Sequence, residues 1–345
     1  MSADPKPVRL GIVGTGFISA VHRACALASA DVELVAVASA RGRATRDRVG
    51  PLDPDVALLT IAELVASDTV DAVLVCTRTR DHADHAVAVL AAGKHLLLEK
   101  PGAISLADHG RIEAAAAAHP GQVVRVAYHR RHDPGFCELA RVVASGAIGA
   151  PFAVQLASRE DFPPSEDDVP AGGFIMDVGV HDFDTARWLL GTDPDTAYAR
   201  VHNPVYRDAD LDNAYVTIGH GGAVATTHLS RTSSIGMEIR CEVIGADGSA
   251  MLAQATTGGG AVTVLSPATS PGFPADCRDR FAAAYQAQMD GFGAACRGEA
   301  TANATLADDR WAVATAVAAR ASAVRHEPLA IGPDWEWGDA APGTA

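Results

Sequence analysis

Residues 8–16 read Val8-Arg9-Leu10-Gly11-Ile12-Val13-Gly14-Thr15-Gly16. A short run of β-forming residues enters a Gly-x-Gly, and a helical pattern follows from Phe17 to residue 29. Glycines at such a strand-to-helix turn let the backbone fold tightly and approach a pyrophosphate, which the helix N-terminus attracts. The third glycine of the full fingerprint falls on Ser19, whose Cβ is expected to loosen the approach of helix to strand. Working outward, further strand patterns cover residues 32–38, 71–76, 95–98 and 123–127, with helical patterns over 60–66, 81–92 and 105–118. Gly93 reads as a helix stop and Ser105 as an N-cap. This alternation predicts an α/β doubly wound parallel sheet.

Beyond residue 127 the pattern changes. A helix over 134–145 precedes strand patterns at 151–158, 197–201, 214–219, 223–230, 238–245 and 249–253, and Asp247-Gly248 is a hairpin-turn signal. Helices over 180–190, 280–296 and 305–323 complete the reading. It predicts an α+β domain with a large, open, mainly antiparallel sheet. A length of 345 residues suits two domains. They are drawn as a dinucleotide-binding domain, residues 1–126, and a substrate-binding and oligomerisation domain, residues 127–345.

Hydrophobic residues make up 48 % of the chain, ample for two cores. A formal charge of −14 disfavours nucleic acid and anionic membrane as partners. The exception is the cluster Arg41, Arg43, Arg46 and Arg48. Six scattered cysteines without a CxxC give no zinc-site spacing, and no metal is expected. That cysteine usage, with no signal-peptide pattern and no membrane-length apolar run, leads to an expectation of a cytoplasmic protein.

The end of the second strand selects the cofactor. NAD sites place an acid there for the ribose diol, whereas this chain has Ser39 with Arg41 and Arg43 close behind. A hydroxyl and guanidinium groups suit a 2′-phosphate, which tips the expected cofactor, NAD(P)(H), toward NADP(H). Lys100 follows the strand 95–98, so it is expected at the carboxyl edge of the sheet, where ligands bind. Asp177 and His181 are four apart on one face of a helical turn, a spacing that lets a carboxylate orient an imidazole. Asp182 and Asp184 are alternative partners for that imidazole; a helix cap and a core histidine are the plain alternatives. The run Asp81-His82-Ala83-Asp84-His85 heads an amphipathic helix and is read as N-terminal charge plus a solvated face.

These pieces together resemble the glucose–fructose oxidoreductase/inositol dehydrogenase (Gfo/Idh/MocA) family, most of all its inositol 2-dehydrogenases. The runs GIVGTGFISAVH (11–22), HADHAVAVLAAGKHLLLEKP (82–101), HRRHDPGF (129–136), GGFIMDVGVHDFDTARWLLG (172–191) and EIRCEVIGADGSAML (238–252) carry the resemblance, with Asp212-Asn213-Ala214. It implies a Rossmann domain followed by a sheet domain that pairs with its copy in dimers or tetramers. It also implies a catalytic set of Lys100, Asp177 and His181. His181 would exchange the hydroxyl proton, Lys100 would hold the same oxygen, and Asp177 would orient His181 and bind a neighbouring hydroxyl. The implied cofactor contacts are Gly14, Gly16, Phe17, Ile18, Ser39, Arg41, Arg43, Thr77, His82, Glu99 and Lys100. The implied substrate contacts are Lys100, His129, Arg130, Ser158, Glu160, Asp177 and His181.

The chain departs from the inositol enzymes at several of these. His129 stands where Asn or Met is typical, Ser158 and Glu160 stand where His and Asn are common, and Ser39 replaces Asp. The expected activity is therefore hydride transfer between a nicotinamide and a ring secondary alcohol or ketone of an inositol or sugar. A biosynthetic ketosugar reductase is the nearer alternative. A non-enzymatic dinucleotide-binding sensor is the alternative from another class, disfavoured because a sensor needs no proton shuttle.

Overall fold

The computed structural model describes residues 6–39, 49, 54–160, 172–202, 213–233, 236–252, 274 and 276–332. The chain forms two compact units. The first comprises Met1–Asp133 and Ala282–Asp309, the second Pro134–Phe281 and Arg310–Ala345.

In the first unit, six parallel strands lie in the order β3-β2-β1-β4-β5-β6. They are β1 (Val8–Val13), β2 (Val32–Ser39), β3 (Ala57–Thr60), β4 (Ala72–Val75), β5 (His95–Leu98) and β6 (Val124–Val126). This is the order of a Rossmann sheet, whose direction of winding reverses between β1 and β4. All of β4 and Leu96, Leu97 and Leu98 of β5 are buried, as strands covered on both faces must be. Between the strands run α1 (Phe17–Ala28), α2 (Ile61–Ala66), α3 (His82–Ala91) and α4 (Leu106–Ala118). Helix α2 starts at a capping box, in which Thr60 and Glu63 satisfy each other's backbone amides. Ser105 caps α4 through the Asp108 amide, and Gly93, at φ +72°, ends α3. Strand β3 is absent from the sequence reading; four residues at a sheet edge, only partly buried, carry little periodic signal.

The second unit contains α5 (Pro134–Ala144) and α6 (Val180–Leu190), with a seven-stranded sheet. Its strands are β7 (Pro151–Arg159), β8 (Thr196–Val201), β9 (Asn213–His220), β10 (Ala223–Ser230), β11 (Glu238–Gly245), β12 (Gly248–Leu252) and β13 (Leu329–Ala330), in the order β12-β11-β7-β10-β9-β8-β13. Every pairing is antiparallel except β7 with β10, so the sheet is mixed. The β11–β12 hairpin turns at Ala246-Asp247 and closes on the Gly245–Gly248 pair. Two long helices, α7 (Cys277–Cys296) and α8 (Leu306–Arg325), complete the chain. Among the described residues no helix is long and apolar enough to cross a membrane.

Candidate active site

The two glycines of the first turn have different tasks. Gly14 has φ +135°, and a Cβ there would overlap the Cys76 carbonyl. Only glycine lets β1 turn this close to the end of β4. Burial beside it pushes the Cys76 thiol up to about 12, so that group stays protonated. Gly16 is the N-cap of α1, and a Cβ there would meet nothing within 4 Å. No side chain caps this helix, and its first turn carries no acid. The positive dipole end of the helix is therefore not offset by a side chain of its own, and the room beside Gly16 fits a dinucleotide pyrophosphate. Phe17 is exposed and Ile18 half-buried at the same end. Ser19 stands at the position of the third glycine. It is fully buried, and its hydroxyl donates to the Gly14 carbonyl at 2.8 Å, so the extra atoms lock the turn.

Further along the carboxyl edge, Ser39 is buried at the end of β2, while Arg41 and Arg43 lie outside the described residues. His82 is buried on the same helical face as Ala86, Val89 and Leu90, so the solvated-face reading fails for it. The i, i+4, i+7 spacing turns His82 inward, whereas Asp81 stands at the N-cap and Asp84 is exposed, pairing with Arg111 at 2.6 Å on the surface. His82 Nδ1 lies 2.9 Å from the Pro101 carbonyl and Nε2 lies 3.2 Å from the Thr77 carbonyl. Burial lowers its pKa, against the pull of those carbonyls, so a neutral ring donates to one of the two at a time. It joins the loops that leave β4 and β5. Thr77 Oγ1 also meets His85 Nδ1 at 3.1 Å.

Glu99 is buried, with Oε1 2.6 Å from His22 Nε2 on α1, and its Oε2 accepts the Lys100 amide at 3.0 Å. Lys100, partly buried, leaves β5 at this edge. His129 and Arg130 are buried in the 3₁₀ turn His129–His132 after β6. The His129 ring packs 4.6 Å from that of Tyr285.

The remaining candidates lie in the second unit. Asp177 sits in a single π-helical turn, Ile175–Gly179, which runs directly into α6 and His181. Such turns recur at functional sites because they offset side chains from the regular ladder. Arg231, just past β10, donates to Asp177 Oδ2 at 3.0 Å, and its guanidinium lies 4.4 Å over the Phe174 ring. Arg231 is almost wholly buried, whereas Asp177 keeps a quarter of its side chain exposed. The sequence reading missed Arg231; a charged residue ending an apolar strand was its only signal.

Asp182, one of the alternative partners for His181, is fully buried. It accepts from Ser158 Oγ at 2.7 Å and from Thr227 Oγ1, tying α6 to β7 and β10. Ser158 thus commits its one donor proton to Asp182. Glu160, just past β7, donates its amide to the Ser230 carbonyl at 2.7 Å. Among the described residues no group of three His, Cys, Asp or Glu could hold a metal ion.

Comparison with known proteins bears on both units. Residues 8–128 match the model of the oxidoreductase family with an NAD-binding Rossmann fold, and residues 136–251 match the GFO/IDH/MocA C-terminal domain. The myo-inositol 2-dehydrogenase of Thermotoga maritima is 32 % identical over 248 residues, 70 % of this chain and 74 % of that one. The inositol 2-dehydrogenase of Agrobacterium fabrum is 32 % identical over 302 residues, 85 % and 88 % of the two chains. A crystal structure from Sinorhizobium meliloti 1021, assigned as a myo-inositol dehydrogenase, superposes with a TM-score of 0.85 at 29 % identity, over 94 % of this chain and all of that one.

Proposed function

Given that the chain belongs to the GFO/IDH/MocA oxidoreductase family, whose N-terminal domain is an NAD-binding Rossmann fold, we propose that it interconverts a ring secondary alcohol and its ketone on an inositol or related sugar. The observation that carries this reading is the uncapped amide end of α1 at Gly16, with Lys100 leaving β5 at the carboxyl edge of the same sheet. The inositol 2-dehydrogenase relatives support the polyol substrate.

When bound, the nicotinamide takes up or gives the hydride. In this reading His181 accepts the hydroxyl proton during oxidation and returns it in reduction. The Lys100 ammonium holds the same oxygen and favours its alkoxide. Asp177, fixed by Arg231, orients His181 and binds a neighbouring hydroxyl. His129, Arg130 and Glu160 complete the polyol contacts, and Ser158, expected among them, is instead buried with its hydroxyl donating to Asp182. Phe17, Ile18, Thr77, His82 and Glu99 serve the dinucleotide side. In this division of labour residues 1–126 hold the dinucleotide and residues 127–345 hold the substrate and the subunit contact.

Ser39 in place of an acid supports NADP(H) over NAD(H), with Arg41 and Arg43 as candidate 2′-phosphate ligands. The decisive experiment measures kcat/KM over a panel of inositols, aldoses and their ketones with both cofactors. Turnover of a cyclitol or sugar, faster with NADP(H), is the expected result. Inertness toward all of them sinks the substrate assignment, and a clear preference for NAD(H) sinks the cofactor assignment.

The outward-facing side chains Tyr215, Val224 and Met251 leave apolar surface on the seven-stranded sheet. That supports a homo-oligomer formed through this face; a monomeric mass by light scattering overturns it. Six free cysteines support a cytoplasmic setting, which recovery from the secreted fraction would overturn.

A further inference from the structure

The first turn of α8 carries Asp308 and Asp309. Thr305 caps it: its Oγ1 accepts the Asp308 amide at 3.3 Å, and Asp308 Oδ2 accepts the Thr305 amide at 2.8 Å. Asp308 Oδ1 also lies 3.0 Å from Arg131. Asp309 is wholly buried, and a buried carboxylate is stable only with a full set of donors. Here two hydrogen-bond donors and one ion-pair partner come from three places in the first unit. Tyr128 donates its hydroxyl to Oδ1 at 2.7 Å, and the Gly102 amide donates to Oδ2 at 3.0 Å. His109 Nε2, on α4, lies 3.1 Å from Oδ2. Burial alone would lower the His109 pKa, but Asp309 and Glu113 outweigh it and hold the ring at about 9. The carboxylate therefore faces an imidazolium at neutral pH. Gly102 admits this approach because a Cβ there would overlap Asp309 Oδ2.

The positions of the donors give the arrangement its meaning. Gly102 is two residues beyond Lys100, and Tyr128 immediately precedes His129 and Arg130. The sequence reading assigned Asp309 nothing. We propose that Asp309 is a positioning residue, fixing with one buried carboxylate both the loop that carries Lys100 and the turn that carries Arg130. Its effect on rate rests on the reading of Lys100 as a catalytic group; the clamp itself does not.

Asp309→Asn removes the charge and one of the two equivalent acceptors at constant shape. Two readouts then separate the claims. Hydrogen exchange in the peptide spanning residues 99–105 should speed by about tenfold or more, while peptides from β1 and β4 keep wild-type rates. The kcat should fall by about 30- to 100-fold, with substrate KM and dinucleotide Kd changed less than about threefold, as misplacement of a reacting group predicts. Unchanged exchange at 99–105, or equal acceleration throughout the unit, overturns the clamp. Faster local exchange with kcat intact overturns the positioning role. An inactive wild type whose variant still exchanges faster would sink the reading of Lys100 and leave the clamp standing. If Asp309→Asn fails to fold, Tyr128→Phe removes one donor without stranding a charge. It should speed exchange at 99–105 by about threefold, and no change there overturns the proposal.

Discussion

At Gly16 the candidate site is made of backbone; at Asp177 it is made of side chains. The parallel sheet offers the amides of an uncapped helix, a turn that only glycine permits at Gly14, and a hydroxyl at Ser19 that closes it. Little there depends on which distant residue packs where. Asp177 instead depends on Arg231, 54 residues away, and the start of α6 is held by Asp182 through hydroxyls on β7 and β10. A backbone site is written in consecutive residues, whereas a side-chain site is assembled by the sheet that brings its parts together.

The largest effects should fall on the groups assigned to the reacting carbon. Lys100→Met and His181→Ala are each expected to cut kcat by about 10²- to 10⁴-fold, the range for a lost general acid–base or its electrostatic partner. Dinucleotide Kd, read from nicotinamide fluorescence, should stay within about threefold for His181→Ala, because uniform binding is untouched. Retention of full turnover by either variant removes that residue from the mechanism.

The paired glycines sharpen the contrast within one turn. Gly14→Ala introduces a Cβ against the Cys76 carbonyl at φ +135° and should cost about 2–4 kcal/mol in denaturant unfolding, a backbone-strain effect at the upper end for single substitutions. Gly16→Ala meets no protein atom, so stability should change by no more than about 0.5 kcal/mol. The same added methyl should weaken dinucleotide binding by about tenfold or more if the phosphates lie against that backbone. Equal dinucleotide affinity in Gly16→Ala and wild type would mean that the open end of α1 is not the pyrophosphate site.

This difference explains what could be read in the chain. The strands 8–13, 95–98, 223–230 and 238–245 and the helix 180–190 have the bounds that pattern alone gives them, because each couples a regular apolar period to a clear stop such as Gly191 at φ +68°. Strands β3 and β13 escaped because four and two residues cannot display a period. His82 was misread because a histidine at a helix start carries no mark of which face it takes. Arg231 and Asp309 could not be assigned at all. Their partners are fixed by strand order and by the return of residues 282–309 to the first unit, neither of which is a local property.

Arg231 tests the side-chain half of the comparison. Arg231→Lys keeps a positive charge but not the planar fork, and a point charge holds a carboxylate less rigidly. We expect kcat to fall by about tenfold with KM for substrate raised, since Asp177 would lose its fixed orientation while His181 remains. Arg231→Met, which leaves Asp177 without that donor, should cost at least as much. Wild-type kinetics in both variants would mean that Asp177 is oriented by other groups and that the Arg231 contact serves packing over Phe174.

The division into backbone and side-chain sites has one predicted break, and it should give the smallest signal. In the first unit His109 and Asp309 form a buried ion pair behind the Lys100 loop. The folded-state pKa of His109 is raised to about 9, through Asp309 and Glu113 acting against burial, whereas an unfolded histidine titrates near ~6.5. A raised folded pKa means that folding takes up the proton. The stabilisation is therefore complete below pH ~6.5, declines as pH rises, and is gone above the folded value near 9. Its ceiling is about 3 kcal/mol at 1.36 kcal/mol per pH unit, so Tm should fall by several degrees between pH 6.5 and 9.5. In His109→Gln that slope should flatten, because the group that releases its proton is missing. If the slope survives the substitution, another group titrates in that window and the His109 imidazolium does not stabilise the fold; if it disappears, the loop after β5 rests on a side-chain network as much as the turn before α6 does.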